Sequence, residues 1–294
     1  MKVKAILVTG ASSGIGYSIA KEFANHGYHV FGSIRRKHDA DRLITDIGAN
    51  VTPLLFDVTD LEAIQQAVQQ VEGIVKHYGL VGLINNAGIG TAGPLMHQPL
   101  DEIRHQFEVN VIGQIAVIQA FLPLLGASKQ SRPNPGRIIN ISSVAGKSAP
   151  AFLGAYVGSK HAIEGISHSL RRELQLYGID VVIIGPGAVN TPIWDKELAQ
   201  DASRYAETDY AEPIRRFQTF FVESGKQGYS PAVVGEFVRK VFERQKPKAR
   251  YALVPNAIQN WYIPRILPTR WLDRIIGKKL HLFDRTHSTP NSNS

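Results

Sequence analysis

The sequence contains no cysteine. Disulfides, thiolate zinc sites, iron–sulfur clusters and a cysteine nucleophile are excluded on that count, and no metal site is expected. Long hydrophobic runs are lacking too: no stretch reaches the roughly 18 apolar residues that span a bilayer. The opening Met-Lys-Val-Lys-Ala-Ile-Leu-Val-Thr-Gly has too short an apolar run for a secretory signal, so a cytoplasmic protein is the expectation. Excess positive charge is missing from most of the chain. Residues 1–225 hold 20 Lys+Arg against 21 Asp+Glu, whereas residues 226–294 hold 13 against 4. The net charge of +8 is therefore a property of the last quarter. No recognition motif accompanies it, and nucleic acid is not expected as a partner.

What is present is ordinary globular composition, 44% hydrophobic and 20% charged, which excludes disorder as the main state. The 294 residues sit near the ceiling of about 250–300 for a single core. Short β-branched runs alternate with helix-period stretches. The runs are Lys4–Thr9, His29–Ile34, Asn50–Asp57, Gly82–Asn85, Gly136–Ser142 and Asp180–Ile184; the helical stretches are Gly14–Asn25, Leu61–Tyr78, Leu100–Leu125 and Tyr156–Tyr177. Runs such as Ile6-Leu7-Val8 and Val181-Val182-Ile183-Ile184 do not alternate, as expected of strands buried on both faces. The pattern predicts an α/β fold, a single Rossmann-like, doubly wound parallel sheet with helices on both faces. Ser128–Pro135 reads as a surface loop and His287–Ser294 as a polar tail. Ser230-Pro231 opens a helix through Glu243, and Arg250–Val254 reads as one more strand. Residues 258–283 read as apolar, basic helix interrupted by Pro264 and Pro268.

Thr9-Gly10-Ala11-Ser12-Ser13-Gly14-Ile15-Gly16 follows the first strand and opens the first helix. Gly10 suits positive φ in the tight turn, Gly14 a close approach of backbone to pyrophosphate, and Gly16 close helix–strand packing. The helix N-terminus presents free N–H groups to the phosphates. Tyr156 and Lys160 stand four apart on a helix and share a face. A phenol has a reference pKa near 10, and a neighbouring ammonium favours the phenolate. Ser143 lies thirteen residues before Tyr156, at the carboxyl end of a parallel strand where such folds place ligands.

The spacing Gly-x-x-x-Gly-x-Gly resembles the short-chain dehydrogenase/reductase family. The other family marks follow in order over about residues 3–192: Asn85-Asn86-Ala87-Gly88, Asn110, Asn140-Ile141-Ser142-Ser143, Tyr156-Val157-Gly158-Ser159-Lys160 and Gly185-Pro186-Gly187-Ala188-Val189-Asn190-Thr191. The resemblance implies that Tyr156 exchanges a proton with the carbonyl or alcohol oxygen and that Ser143 hydrogen-bonds that oxygen. It implies that Lys160 lowers the Tyr156 pKa and holds the nicotinamide ribose, and that Asn110 supports a water linking Lys160 to solvent. Ser142 is the rival for the serine role, though the thirteen-residue spacing favours Ser143. Cofactor contacts are implied at Gly10, Ser12, Ser13, Gly14, Ile15 and Gly16, at Asn86, Ala87 and Gly88, and at Tyr156 and Lys160. Asp57 and Val58 match the adenine contact, and Pro186, Gly187, Val189 and Thr191 the nicotinamide segment.

NAD-preferring members carry an acid at the end of the second strand. Here Ile34 holds that position, followed by Arg35 and Arg36, whose guanidinium groups suit a 2′-phosphate. Asp39 and Asp41 lie a little beyond the acidic position. NADP(H) is the expected cofactor. Residues 190–230 replace the family's substrate lid and carry Trp194, Tyr205, Tyr210, Phe217, Phe220, Phe221 and Tyr229. These aromatics either line a hydrophobic pocket or pack the lid on the core. Phe152, Leu153 and Trp194 are the candidate substrate contacts beside Ser143 and Tyr156.

Ser169-Leu170-Arg171-Arg172-Glu173-Leu174 and the long C-terminus resemble the branch acting on retinoids, steroids and other lipid-like alcohols and ketones. The expected function is alcohol–carbonyl interconversion on a small hydrophobic molecule. The rivals are a reductase of a more polar ketoacyl or sugar-type substrate, and a cofactor-sensing protein without turnover. The family also implies a homo-oligomer, dimer or tetramer. The domain reading is 1–255 for the catalytic unit and 256–294 for a basic amphipathic extension packed on it. In that extension Trp271, Leu272, Ile275, Ile276 and Leu280 fall on one face and Arg270, Arg274 and Lys278 on another. Such a helix either lies on an anionic membrane surface or covers the domain with its basic side chains solvated; both readings stand.

Overall fold

Seven short strands rich in Ile, Val and Leu line up in parallel in the computed structural model, which describes residues 4–76, 79–128, 134–191 and 202–283. They are β1 (Lys4–Val8), β2 (Tyr28–Ile34), β3 (Val51–Leu55), β4 (Gly82–Asn85), β5 (Arg137–Ile141), β6 (Asp180–Pro186) and β7 (Arg250–Leu253), in the order β3-β2-β1-β4-β5-β6-β7. Val8 pairs with Gly32 on one side and Ile84 on the other. The winding direction reverses between β1 and β4, so the loops leaving their carboxyl ends part and leave a crevice.

Helices cover both faces, as the alternation predicts. Ile6 and Val8 face Ile19 and Phe23 of α1 (Gly14–Asn25), Leu43 of α2 (Lys37–Ile47) and the Val234, Val238 and Val241 side of a later helix, Pro231–Phe242. Ala5 and Leu7 face α3 (Leu61–Val75), α5 (Gln114–Leu125) and the Leu170 side of α6 (Gly154–Glu173), while α4 (Leu100–Phe107) leads into the turn before α5. Among the described residues the remaining α-helices are α7 (Ala211–Lys226), α8 (the Pro231–Phe242 helix), α9 (Ile263–Ile266) and α10 (Thr269–Lys279).

Several expectations need correction. Leu100–Leu125 is long and apolar enough as a helix to cross a membrane; here Val117, Ile118, Phe121 and Leu125 bury it in the core. It is also not uniform, because Glu108–Gly113 forms a π-helical turn between α4 and α5. Helix α2 lies where no helix was expected, its pattern being mostly polar. Helix α7 occupies the supposed lid. Pro264 does not interrupt the C-terminal helix: it sits in the first turn of α9, where a missing N–H is tolerated. Pro268 does, since Leu267 before it is extended at ψ 138° and α10 restarts at Thr269. The tail His287–Ser294 and most of the Ser128–Pro135 loop lie outside the described residues.

Candidate active site

Two loops form the floor of the crevice. Thr9, fully buried after β1, accepts the amides of Asn86 and Ala87 on its Oγ1, each at 2.9 Å. Asn86 returns the contact, donating from Nδ2 to the carbonyls of Thr9 (3.0 Å) and Gly10 (3.3 Å). Ser33 of β2 accepts Gly10 N on its hydroxyl at 2.9 Å and Ala11 N on its carbonyl at 2.8 Å. Gly10 adopts φ +67°, and a Cβ on Gly16 would stand 2.1 Å from the Gly10 carbonyl oxygen, so both glycines are sterically required. Ser13 caps α1 without a side-chain bond, which leaves the first amides of the helix open to an anion. Nothing in the sequence marks Ser33, because a lone buried hydroxyl carries no motif, and Thr9 opens the glycine motif without showing its role there.

The crevice is a cleft open to solvent. Its lining includes Gly10, Ser12, Ser13, Gly14, Ile15, Arg35, Asp57, Val58, Asn86, Ala87, Gly88, Ser143, Tyr156, Lys160, Pro186, Gly187, Val189 and Thr191. Of the expected cofactor contacts, Gly16 and Arg36 are not on that surface: Gly16 packs beneath the loop, and Arg36 turns away.

At the inner end Tyr156 and Lys160 rise from α6 toward Ser143 at the end of β5. Tyr156 and Ser143 share a side-chain hydrogen bond. Ser143 Oγ also accepts Ala145 N at 3.1 Å. Lys160 Nζ donates to the Ile141 carbonyl at 3.1 Å and stands 5.8 Å from the Tyr156 ring centre. Both serines line the cleft; Ser143 pairs with Tyr156, whereas Ser142 donates to Glu164 at 3.0 Å. Asn110 lies in the π-helical turn behind the cleft. Its Oδ1 accepts Ile89 N at 2.8 Å, and its Nδ2 reaches Ile89 O at 2.9 Å and Ser159 Oγ at 3.0 Å. Its amide thus clamps the β4 loop.

Burial raises the Tyr156 phenol above its ordinary value, and the hydrogen bond with Ser143 opposes that rise. Burial lowers the Lys160 ammonium to about 8. The unfolded chain keeps that proton up to about pH 10.4, so below pH 8 the fold carries the full cost of a buried charge, about 3 kcal/mol. The cost fades as pH rises through that interval, where the unfolded state binds more protons. Lys160→Met is therefore expected to raise the thermal midpoint of the cofactor-free protein at pH 7 by a few degrees, with the advantage vanishing near pH 10.5. Melting below wild type at pH 7 contradicts this.

Residues 4–202 match the short chain dehydrogenase family. The chain belongs to that family. The NADPH-dependent 3-dehydrocapnine reductase of Ornithobacterium rhinotracheale is 40% identical over 274 residues, 93% of this chain and 96% of its own. The 3-amino-tetrahydro-pyrrolizinone reductase of Xenorhabdus hominickii is 40% identical over 223 residues, 76% of this chain and 74% of its own. Among solved structures, a short-chain dehydrogenase from Streptomyces avermitilis superimposes with a TM-score of 0.73 at 27% identity, covering 96% of this chain and 98% of that one.

Three arginines cluster near the outer end of the cleft, and only Arg35 lines it. Arg35 lies at its mouth, 70% exposed, with Nη1 3.9 Å from Asp57. Arg36 turns onto α2 and pairs with Asp39 at 3.2 Å. Arg42, which no motif predicts, pairs with Asp39 at 3.3 Å and donates to the Ser12 carbonyl, tying α2 to the phosphate loop. Asp39 is consequently buried and paired, not presented to the cleft.

Behind Ser143 lies a buried ion network. Glu164, one turn beyond Lys160, accepts Arg250 Nε at 2.9 and 2.8 Å and lies 3.5 Å from Lys147. The same Arg250 donates to the Ser143 carbonyl at 3.3 Å and stacks over Trp261 at 4.7 Å.

The lid packs as a third core. Phe152 and Leu153 join Tyr205, Ile214 and Phe217, with Tyr156, Tyr210 and Phe221 against them. Phe152 meets Phe217 edge-on at 5.6 Å and Tyr210 at 5.9 Å. The structure thus shows these aromatics packing the lid on the core, with Tyr156 at the edge of the cluster. Phe220 is exposed and Tyr229 packs under the sheet instead; Trp194 lies outside the described residues.

Proposed function

We propose that the chain is an NADP(H)-dependent oxidoreductase that interconverts a hydroxyl and a carbonyl on a hydrophobic, lipid-like substrate. The observation that carries this reading is the convergence of Ser143, Tyr156 and Lys160 at the inner end of a cleft that opens at Arg35. A dinucleotide fits that cleft. The uncapped amides of α1 suit a pyrophosphate, Asp57 and Val58 an adenine, Arg35 a 2′-phosphate, and Lys160 with Thr191 the far ribose and carboxamide. When bound, the nicotinamide supplies or accepts the hydride.

The protein's own residues handle the proton and the charge. In reduction Tyr156 donates its hydroxyl proton to the carbonyl oxygen as negative charge develops there. The Ser143 hydroxyl donates a hydrogen bond to the same oxygen. The Lys160 ammonium stands close enough to stabilise the phenolate that remains. The aromatic lid against Tyr156 supports an apolar substrate, and the 3-dehydrocapnine reductase, alike over nearly the whole chain, supports a ketone.

NADPH oxidation should be followed with 3-dehydrocapnine, long-chain ketones, ketoacyl compounds and sugar-type ketones. Turnover confined to the polar ketones would overturn the lipid-like assignment. NADPH binding without turnover on any of them would favour a sensor. On the cofactor side, Arg35→Asp is expected to raise the KM for NADPH ten- to a hundredfold, from loss of charge-assisted bonds worth about 1.5–3 kcal/mol. A wild-type protein that prefers NADH refutes that assignment.

A further inference from the structure

Helix α10 has two unlike faces, divided differently from the sequence expectation. Ile276 and Leu280 turn inward onto the lid cluster, and Lys279 lies 3.3 Å over the ring of Phe220. Trp271 and Ile275, expected on that same apolar face, turn outward and are 61% and 54% exposed. Arg270, Arg274 and Lys278 flank them at helical spacing, all exposed. The preceding segment repeats the arrangement. Ile258, Tyr262 and Ile266 recur every four residues, all exposed, with Arg265 beside them.

We propose that the outward face of α10, with the Ile258–Ile266 stripe, is a docking surface for an anionic lipid bilayer. Large apolar side chains interleaved with Arg and Lys are what an interfacial helix requires: the rings and aliphatic chains enter the acyl boundary while the cations stay among the phosphates. The charge fits the partner, because residues 226–294 carry 13 basic against 4 acidic residues beside a nearly neutral remainder. The same charge disfavours a second copy, since a two-fold contact would press two strongly basic faces together. The proposal goes beyond the reaction: it concerns where the enzyme sits, and the surface involves no residue of the cleft.

The test is flotation of the full chain with vesicles of mixed phosphatidylglycerol and phosphatidylcholine, and with phosphatidylcholine alone. At low salt the protein is expected to float with the anionic vesicles and stay behind with the neutral ones, and high salt should release it. Trp271→Ser with Ile275→Ser, and separately Arg274→Glu with Lys278→Glu, should each lower partitioning at least tenfold. Both variants should keep wild-type melting and NADPH turnover. Failure of the wild type to float with anionic vesicles at low salt overturns the proposal, as does flotation of both variants like wild type. A dimer in sedimentation velocity that Trp271→Ser dissolves gives the face to a second copy and overturns it too. Turnover measured on the same samples separates loss of docking from failure of the proposed reaction.

Discussion

Tyr156→Phe lowers kcat by about two to four orders of magnitude, the usual worth of a positioned proton donor, and leaves the affinity for NADPH nearly unchanged. The substitution removes one atom. The ring keeps its place against the lid cluster and near the Lys160 ammonium, 5.8 Å from its centre. What disappears is the hydroxyl paired with Ser143, the proposed proton source. Fluorescence titration with NADPH and single-turnover kinetics on an accepted ketone check the two halves separately. Wild-type-like turnover would sink the assignment of Ser143, Tyr156 and Lys160. Tight binding with slow chemistry is the expected pair of results.

Glu164→Ala is expected to cost the fold about 3–5 kcal/mol, the price of leaving a buried charge without its partner. The carboxylate is 1% exposed and the Arg250 side chain 15%. Removing the glutamate strands that guanidinium and takes the acceptor from Ser142 Oγ. At about 2–4 °C per kcal/mol, the melting temperature should fall by about 10 °C. The double variant Glu164→Leu with Arg250→Met leaves no unpaired charge and should recover much of that loss, because an apolar pair can replace a buried ion pair at little cost. If the double variant instead loses the sum of the two single losses, Glu164 and Arg250 are not coupled. Thermal unfolding of the wild type, Glu164→Leu, Arg250→Met and the double variant completes the cycle.

The sheet was legible because a strand buried on both faces must be a continuous apolar run, as in β1 and β6. The phosphate loop and the Tyr156–Lys160 pair were legible because local chain geometry dictates their spacing. Features built by tertiary contact were not. Glu164 and Arg250 lie 86 residues apart, and each alone is an unremarkable charge in a helix and a strand. Arg36 and Arg42 are alike in sequence, and only the fold shows which way each turns. Helix α7 carried a signal that the charged residues around it hid: Ile214, Phe217 and Phe221 recur at helical spacing and form its buried side. The division of α10 depends on what packs against it, and periodicity alone put Trp271 on the wrong face.

Strand β7 has a consequence for the newborn chain. Arg250 follows Ser143 by 107 residues, which at ordinary translation rates is about 5–20 s of synthesis. During that interval the emerging chain already holds its serine, tyrosine and lysine, while Glu164 awaits its arginine and β6 is an open edge. β7, the last of the described strands, therefore both flanks β6 and steadies the backbone of Ser143. The chain thus acquires Ser143, Tyr156 and Lys160 well before the strand that frames them.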